Sequence, residues 1–295
     1  MSRHAFRILN VFTVDGDRFS GNPLCVFEDA RGISDEQMQA LARQMNLSET
    51  TFVLPSEKAD ARVRIFTPAN ELPFAGHPTL GTAKVVGGDS AGATLEMKAG
   101  LVQVTRQGAS WTLRAAQPPA TRPVTVARDE LARMLGLPAG AISDEPLWGD
   151  TGVEQLIIPI ATPELVRAAN PRPELLARHG ISAARNTPSC YLWSPGVPEW
   201  SVRYFFTVNG AIREDPATGS ACANLGGWHI ATKKLLPVTA SLRQGEAIQR
   251  PSRLGLRVDE ERAIYVSGDV IEIGRGFVEL QEGDPSSSQN DLNHS

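Results

Sequence analysis

The sequence predicts an α+β protein with two pseudo-symmetric lobes, each a curved, mostly antiparallel sheet wrapped around one central helix. Three observations support this prediction. A short pattern, Glu-x-Pro-x-x-Gly followed by a polar residue, occurs at Glu71–His77 and again at Glu214–Ser220, about half the chain apart. Strand-like segments dominate each half. A helix rich in small residues follows each copy, and such a helix can lie close to the backbone of an enclosing sheet.

The first lobe, residues 1–117, is predicted to begin with two strands and an amphipathic helix. Phe6–Thr13 has the alternating pattern of a strand, and an apolar strand follows the turn at Gly21-Asn22-Pro23. Ser34 is the predicted N-cap of the helix, with Gln37 at the capping-box position. The remaining strands are predicted at residues 50–54, 62–66, 93–97, 101–105 and 110–114.

The second lobe, residues 118–282, is predicted to follow a linker at residues 115–123, where three prolines favour extended backbone. Beyond the helix after the second pattern, a ribbon of short strands is expected from about residue 245 to 281. The tail, residues 283–295, is polar and is predicted to be disordered. Short helices are expected near residues 128–136 and 163–168, and strands at residues 155–160, 190–193 and 201–208.

The composition excludes several classes of protein. Of the 295 residues, 41% are hydrophobic and 21% are charged, and the net charge of −4 is spread along the chain. Without a basic block, nucleic-acid binding has no electrostatic support. No apolar run approaches the roughly 20 residues that span a bilayer, and polar residues interrupt the N-terminus. We therefore expect a cytoplasmic protein with no nucleic-acid or membrane partner.

The three cysteines and five histidines are scattered, and no ligand spacing indicates a metal site. Cys25 and Cys190 lie in apolar runs and are expected to be buried. Cys222 lies in the first turn of the second small-residue helix, where either of two interpretations is possible. It is a packed core residue, or its thiol pKa is lowered by the helix N-terminus.

Each copy of the repeated pattern places a turn immediately before a helix. The free backbone N–H groups of the helix then lie at Gly76-His77 and at Gly219-Ser220. If the lobes face each other, two helix N-termini meet in one cleft, where they can hold an anion or a developing enolate-like charge. The alternative is that each turn is an ordinary helix entry, with Asp215 and Ser220 as N-capping residues.

Four blocks of the sequence resemble the signature of the PhzF-like phenazine-biosynthesis isomerase family. They are Gly21-Asn22-Pro23, the segment 46–50 (Asn-Leu-Ser-Glu-Thr), the segment 75–79 (Ala-Gly-His-Pro-Thr) and the segment 214–221. Gln244-Gly245 with Arg250-Pro251-Ser252 resembles a further block. The resemblance covers about residues 6–280. It implies a diaminopimelate-epimerase-like fold and a cofactor-free isomerase that acts as a homodimer on a small carboxylate.

The resemblance also implies the residues of the site. The family's acid/base falls on Glu49, and its other catalytic positions fall on His77, Asp215 and Ser220, while Gly76, Thr218 and Gly219 are the expected substrate-binding residues. The residues themselves agree with this assignment. A carboxyl group flanked by apolar runs, as Glu49 is, should have a raised pKa and can move a proton between carbon atoms.

Three functions remain open at this stage. The first is an isomerase acting on a cyclic carboxylate such as trans-2,3-dihydro-3-hydroxyanthranilate, the family's best-known substrate. The second is an epimerase or racemase, which needs two opposed bases; Cys222 has no partner cysteine in the first copy of the pattern. The third is a binding protein that has kept the cleft and lost its reaction.

Overall fold

The computed structural model describes residues 1–115, 117–182 and 187–281. All 17 strands of these residues join one continuous sheet, in which the two halves of the chain are built alike. None of the described helices is both long and apolar enough to cross a lipid bilayer. The tail predicted to be disordered, residues 283–295, lies outside the described residues.

The first half of the chain contains eight strands and two helices. In chain order they are β1 (Ser2–Thr13), β2 (Asn22–Phe27), α1 (Asp35–Met45), β3 (Glu49–Leu54), β4 (Ala61–Phe66), β5 (Glu71–Leu72), α2 (Gly76–Gly87), β6 (Gly92–Met97), β7 (Gly100–Gln107) and β8 (Ser110–Arg114).

The second half contains nine strands and four α-helices. In chain order they are β9 (Ala120–Pro123), α3 (Arg128–Met134), β10 (Leu147–Asp150), β11 (Gln155–Pro159), α4 (Pro163–Ala168), α5 (Pro173–His179), β12 (Ser189–Ser194), β13 (Trp200–Val208), β14 (Ala211–Asp215), α6 (Gly219–Ala231), β15 (Val238–Gln244), β16 (Ser252–Val258) and β17 (Ile264–Leu280).

The strand pairing repeats between the halves. In the first, β2 is parallel to β3, β3 is antiparallel to β4, and β4 is parallel to β6, which continues as the meander β6–β7–β8. In the second, β11, β12, β13 and β15 pair in the same way and continue as the meander β15–β16–β17. The internal duplication inferred from the repeated pattern is therefore a duplication of topology.

The long strand β17 pairs with strands of both halves of the chain. The first part of β17 pairs with β16 and β8, and the rest pairs with β1. A strand from the end of the chain thus completes the sheet that begins at residue 2. The division into lobes at residue 117 stays a prediction.

The predicted linker is wrong in its second part. Ala120–Pro123 forms β9, which pairs with β10. Proline favours the same extended backbone in an edge strand as in a linker, so the sequence did not distinguish the two. The sequence analysis also missed α5, although Pro173 stands in its first turn, where proline is favoured.

The two central helices are enclosed by the sheet, as predicted. Every residue of α2 from Gly76 to Ala83 is buried, and in α6 only three residues are not. The glycines explain the small-residue composition. A Cβ on Gly81 would lie 2.4 Å from Leu24 Cδ2, and one on Gly226 would lie 2.8 Å from Ile264 Cγ2. The backbone of each helix therefore lies closer to the sheet than a larger residue allows.

The peripheral helix α1 begins as predicted. Ser34 accepts a hydrogen bond from the Gln37 backbone, and the Gln37 side chain accepts one from Ser34 N–H at 3.0 Å, which completes the capping box. Met38, Leu41 and Ala42 form its buried face. This helix packs on the outer side of β3, and so it holds the strand that begins at Glu49.

The glutamate shared by the two copies of the pattern has a structural function. Glu71 accepts two hydrogen bonds from Arg64, at 2.8 and 3.0 Å, and Glu214 accepts two from Arg203, at 3.0 and 2.7 Å. Each pair joins the short strand before a central helix to the neighbouring strand. The two pairs therefore hold the turns that aim both helix N-termini.

Candidate active site

The N-termini of α2 and α6 meet where the two halves of the chain face each other. A Cβ on Gly76 would lie 3.3 Å from Gly219 Cα, so the two backbones are already in van der Waals contact. The N-cap residues, Ala75 and Thr218, make no side-chain capping bond. The structure therefore brings together Gly76, Gly219 and the uncapped ends of both helices, as the repeated pattern predicted.

Glu49 and His77 lie side by side on the first-half side of this contact. Glu49 is the first residue of β3, and its Oε2 atom is 3.3 Å from Nδ1 of His77, the second residue of α2. Glu49 Oε2 and His77 Nε2 are buried without a hydrogen-bond partner. Two polar atoms that are costly to bury unpaired are thus kept next to the helix N-termini.

The pKa values of both groups are shifted by burial. Burial, and after it the charge of Asp215, raise the pKa of Glu49 to about 8. Burial lowers the pKa of His77 to about 4, although a hydrogen bond to the Pro23 carbonyl acts in the opposite direction. The predicted rise of the Glu49 pKa is confirmed. At neutral pH the imidazole is uncharged, and the pKa of the Glu49 carboxyl lies close to neutrality.

Asp215 lies across from this pair at the end of β14. Its Oδ1 accepts a hydrogen bond of 3.0 Å from Asn22, and its Oδ2 accepts one of 2.6 Å from Thr218 Oγ1. Burial raises the pKa of Asp215 to about 6, against the effect of these two bonds. Asp215 therefore does not cap α6, and both its oxygens are already in use.

Asn22 and Gln244 are site residues that the sequence analysis did not assign. Asn22 crosses from the first half to the second, since it also donates a hydrogen bond of 3.0 Å to Ala217 O. Gln244 donates to Thr218 Oγ1 and to Asp215 O, both at 2.9 Å, and accepts from Thr218 N–H at 3.2 Å. Both residues lie in the sequence blocks that carry the family resemblance, which was the available signal.

Ser220 lies on the other side of the helix contact. It faces a cavity of about 10 Å³, room for about one water molecule, and its Oγ accepts a hydrogen bond from Gln155. The cavity is apolar apart from Ser220, Thr151 and backbone atoms. Its lining residues are Phe74, Gly76, Leu113, Ala115, Thr151, Val153, Gly219, Ser220 and Ala223. The structure thus brings Ser220 to the helix contact, but Glu49, His77 and Asp215 do not line its cavity.

The structure does not favour Cys222 as one of the two bases of an epimerase. Cys222 is fully buried, and burial raises the pKa of its thiol. The hypothesis of a lowered Cys222 pKa is therefore wrong, because the cost of burying a thiolate exceeds the effect of the helix N-terminus. Cys25 and Cys190 are buried as predicted. In the described part of the chain, no three or more His, Cys, Asp or Glu residues lie together as a possible metal site.

Comparisons with known proteins show which family the chain resembles. The family of phenazine biosynthesis-like proteins, PhzC-PhzF, matches residues 9–276. An uncharacterized isomerase of Pasteurella multocida is 39% identical over 97% of this chain and 98% of its own. The trans-2,3-dihydro-3-hydroxyanthranilate isomerase of Pseudomonas aeruginosa is 36% identical over 94% of this chain and 98% of its own.

Solved structures show the same fold. A PhzF-family phenazine biosynthesis protein of Bacillus anthracis has a TM-score of 0.81 and 24% identity, over 95% of this chain and 100% of that one. A hydroxyproline epimerase of Agrobacterium vitis has a TM-score of 0.64 and 14% identity, over 96% of this chain and 94% of that one. The predicted α+β, diaminopimelate-epimerase-like fold is confirmed.

Proposed function

This chain belongs to the PhzC-PhzF family of phenazine biosynthesis-like proteins and is an isomerase of that family, and on that premise we propose that Glu49 moves a proton between two carbon atoms of a small cyclic carboxylate. The single observation that carries the proposal is the state of Glu49. Its Oε2 is buried and has no hydrogen-bond partner, and burial raises its pKa to about 8. Such a group can both take up and return a proton near neutral pH.

The proposed reaction is redox-neutral. The Glu49 carboxylate takes a proton from one carbon of the substrate, and the electrons of the broken C–H bond move into the conjugated system. The protonated Glu49 then returns the proton to another carbon on the same face, where a new C–H bond forms. No hydride acceptor or other oxidant is needed for this balance.

The negative charge formed in between needs hydrogen-bond donors. Among the described residues, neither Glu49 nor Asp215 forms an ion pair with a lysine or arginine. The uncapped N–H groups beginning at Gly76 and Gly219 are the donors that we assign to the substrate carboxylate. Thr218 gives its N–H to Gln244 and its hydroxyl proton to Asp215, so we assign it to holding the turn before α6. The Ser220 hydroxyl completes the set. The single N–H of neutral His77 goes to the Pro23 carbonyl, so its unpartnered Nε2 can only accept a proton.

We propose trans-2,3-dihydro-3-hydroxyanthranilate as the substrate, because relatives of 33 to 36% identity are isomerases of that compound. It is a cyclic carboxylate with the conjugation that a single-base proton shift requires. A cavity of about 10 Å³ is much smaller than a six-membered ring. The two halves of the chain must therefore separate at the Gly76–Gly219 contact before the substrate enters, and we propose that this cleft opens. A homodimer and a cytoplasmic location are further proposals that follow from the family.

The test is proton NMR of this compound in deuterated buffer with three proteins. They are the native protein, Glu49→Gln, and Glu57→Gln as a control on an exposed glutamate of the same half. We expect isomerisation, with deuterium at a ring carbon, for the native protein and for the control only. Near-normal turnover by Glu49→Gln would refute the role of Glu49, and no turnover by the folded native protein would refute the substrate.

A further inference from the structure

A buried chain of side-chain hydrogen bonds ends on Ser220. Gln155, the first residue of β11, donates from Nε2 to Ser220 Oγ at 3.0 Å. Asn224, one turn further along α6, donates from Nδ2 to Gln155 Oε1 and to Val153 O, both at 2.8 Å. Thr151 Oγ1 donates to Asn224 Oδ1 at 2.8 Å. Gln155, Asn224 and Thr151 are at most 4% exposed.

The donor-to-acceptor direction of these hydrogen bonds is determined at one contact, that between Asn224 and the Val153 carbonyl. Val153 contributes a backbone carbonyl, which can only accept, so the Asn224 atom that faces it must be the N–H-bearing nitrogen. The same nitrogen faces Gln155, which must therefore present its carbonyl oxygen. The remaining end of the Gln155 amide is a donor, and it faces Ser220. No alternative flip of either amide satisfies all these contacts.

We infer that Gln155 is a positioning residue that fixes Ser220 as a hydrogen-bond donor to the substrate. A serine hydroxyl has one proton. Ser220 Oγ accepts a hydrogen bond from Gln155, so the hydroxyl proton does not point at Gln155. This proton is therefore left for the cavity that Ser220 lines. The substrate group that we assign to the Ser220 proton is an oxygen that accepts, such as a carboxylate or enolate oxygen. The inference rests on the proposed function for its consequence in catalysis.

The donor direction matters more here than in a site with a cationic side chain. Within the described residues neither Glu49 nor Asp215 forms an ion pair with a lysine or arginine, and the rest of the Ser220 cavity is mostly apolar. A substrate oxygen at this end of the cleft thus relies on neutral donors. If the Ser220 O–H pointed away from the substrate oxygen, a lone pair of Ser220 Oγ would face that oxygen instead.

The first test does not depend on activity. Neutron diffraction of native crystals grown in D2O locates the deuterons on Gln155 and Ser220. We expect a Gln155 deuteron directed at Ser220 Oγ, and the Ser220 deuteron directed away from Gln155 toward the cavity. A Ser220 deuteron directed at Gln155 overturns the inference, whatever the protein's substrate is.

The second test measures the consequence in turnover. The substitution Gln155→Glu keeps the size of the side chain. At a pH above the raised pKa of this buried group, the carboxylate can only accept from Ser220, so the Ser220 proton is withdrawn from the cleft. We expect kcat/KM for trans-2,3-dihydro-3-hydroxyanthranilate to fall about 10- to 100-fold. In a Ser220→Ala background the same substitution should change kcat/KM less than about threefold. Added negative charge or a folding defect would act equally in both backgrounds, and an equal loss therefore overturns the positioning role.

Two further variants distinguish a loss of Ser220 positioning from a loss of folding. Gln155→Met removes the donor without adding charge, and we expect a smaller loss that also vanishes in the Ser220→Ala background. The control is Thr82→Val. It removes the buried hydrogen bond of 2.8 Å between Thr82 and Thr51, which both lie in the first half of the chain, away from Gln155. It should lower thermal stability and leave kcat/KM unchanged. If the native protein itself does not turn over the substrate, the proposed function fails while the neutron result still decides the position of the proton.

Discussion

The two halves of the molecule have the same backbone and different chemistry at their meeting point. Each carries a central helix whose N-terminus follows an Arg–Glu pair, Arg64–Glu71 in the first half and Arg203–Glu214 in the second. The first half offers buried polar atoms without partners, on Glu49 and His77. In the second half Asp215 and Ser220 are both already hydrogen-bonded.

If Glu49 is the acid/base that we propose, this difference gives the duplicated fold one reactive side. A group that must exchange a proton needs an unsatisfied atom and a pKa near the working pH, which Glu49 has. A group that must hold a substrate or a neighbour needs a fixed orientation, which hydrogen bonds to Asn22, Thr218 and Gln155 provide. The predictions below test this division between a reactive first half and a fixed second half.

The largest expected effect is on the rate when the carboxyl group of Glu49 or of Asp215 is replaced by an amide. Glu49→Gln should lower kcat at least about 1,000-fold, because it removes the group that we propose as both acid and base. Asp215→Asn should lower it less, since Asp215 already uses both oxygens in hydrogen bonds. Steady-state kinetics of both variants measures this. An equal or larger loss for Asp215→Asn would contradict the division and favour a two-base epimerase.

The next effect is on stability, and it compares the two Arg–Glu pairs. Glu214→Gln should lower the free energy of unfolding by about 3 kcal/mol, as expected when one partner of a buried pair is removed. Glu71→Gln should cost less, because Arg64 keeps a second carboxylate, Asp35. Urea unfolding of both variants measures the difference. Equal costs would show that Asp35 does not replace Glu71.

The stability of the native protein should fall as the pH rises from 6.5 to 8. The pKa of Glu49 is raised from 4.5 to about 8, so in this range the folded state holds a proton that the unfolded state has lost. Its stabilising contribution is complete below pH 4.5 and is lost as pH rises through 8. His77 and His229, with pKa values lowered to about 4, act oppositely but only below 6.5.

The expected loss between pH 6.5 and 8 is about 1 to 2 kcal/mol. Chemical unfolding at a series of pH values measures it, and Glu49→Gln is the matched protein in which it should be absent. The same slope in both proteins would assign it to another group.

A smaller effect concerns the pH dependence of the rate. If the Glu49 carboxylate takes up the substrate proton, kcat/KM should rise with pH and level off near 8. The charge of Asp215 contributes to the raised pKa of Glu49. In Asp215→Asn the rising limb should therefore move to lower pH. A limb that does not move would show that Asp215 is uncharged in the free enzyme.

The smallest effect is expected for the thiol. Cys222→Ala should change kcat by less than about twofold, because the cysteine is fully buried and its thiol pKa is raised. A modest loss of stability is expected from the cavity that the substitution leaves. A rate loss of 100-fold or more, with the fold intact, would restore a thiol mechanism.

The sequence by itself determined the two-fold plan, the enclosed helices and the capping box of α1. These features rest on local patterns, such as small residues at helical spacing and a turn before a helix. A raised pKa for Glu49 was also predicted, from the apolar runs beside it and the family blocks, but the burial that raises it comes from the fold.

Only the tertiary structure decided what surrounds the site. Asn22 contacts Asp215 across 193 residues, and Gln155 contacts Ser220 across 65. A polar residue in a strand gives no local sign of a partner so far along the chain. Hydrogen-bond direction, as at Ser220, depends on which groups the fold leaves as obligatory acceptors, and burial of Cys222 depends on the sheet that closes over α6. Local sequence encodes the elements and their reactive groups, whereas long-range packing determines which of these groups is free to react.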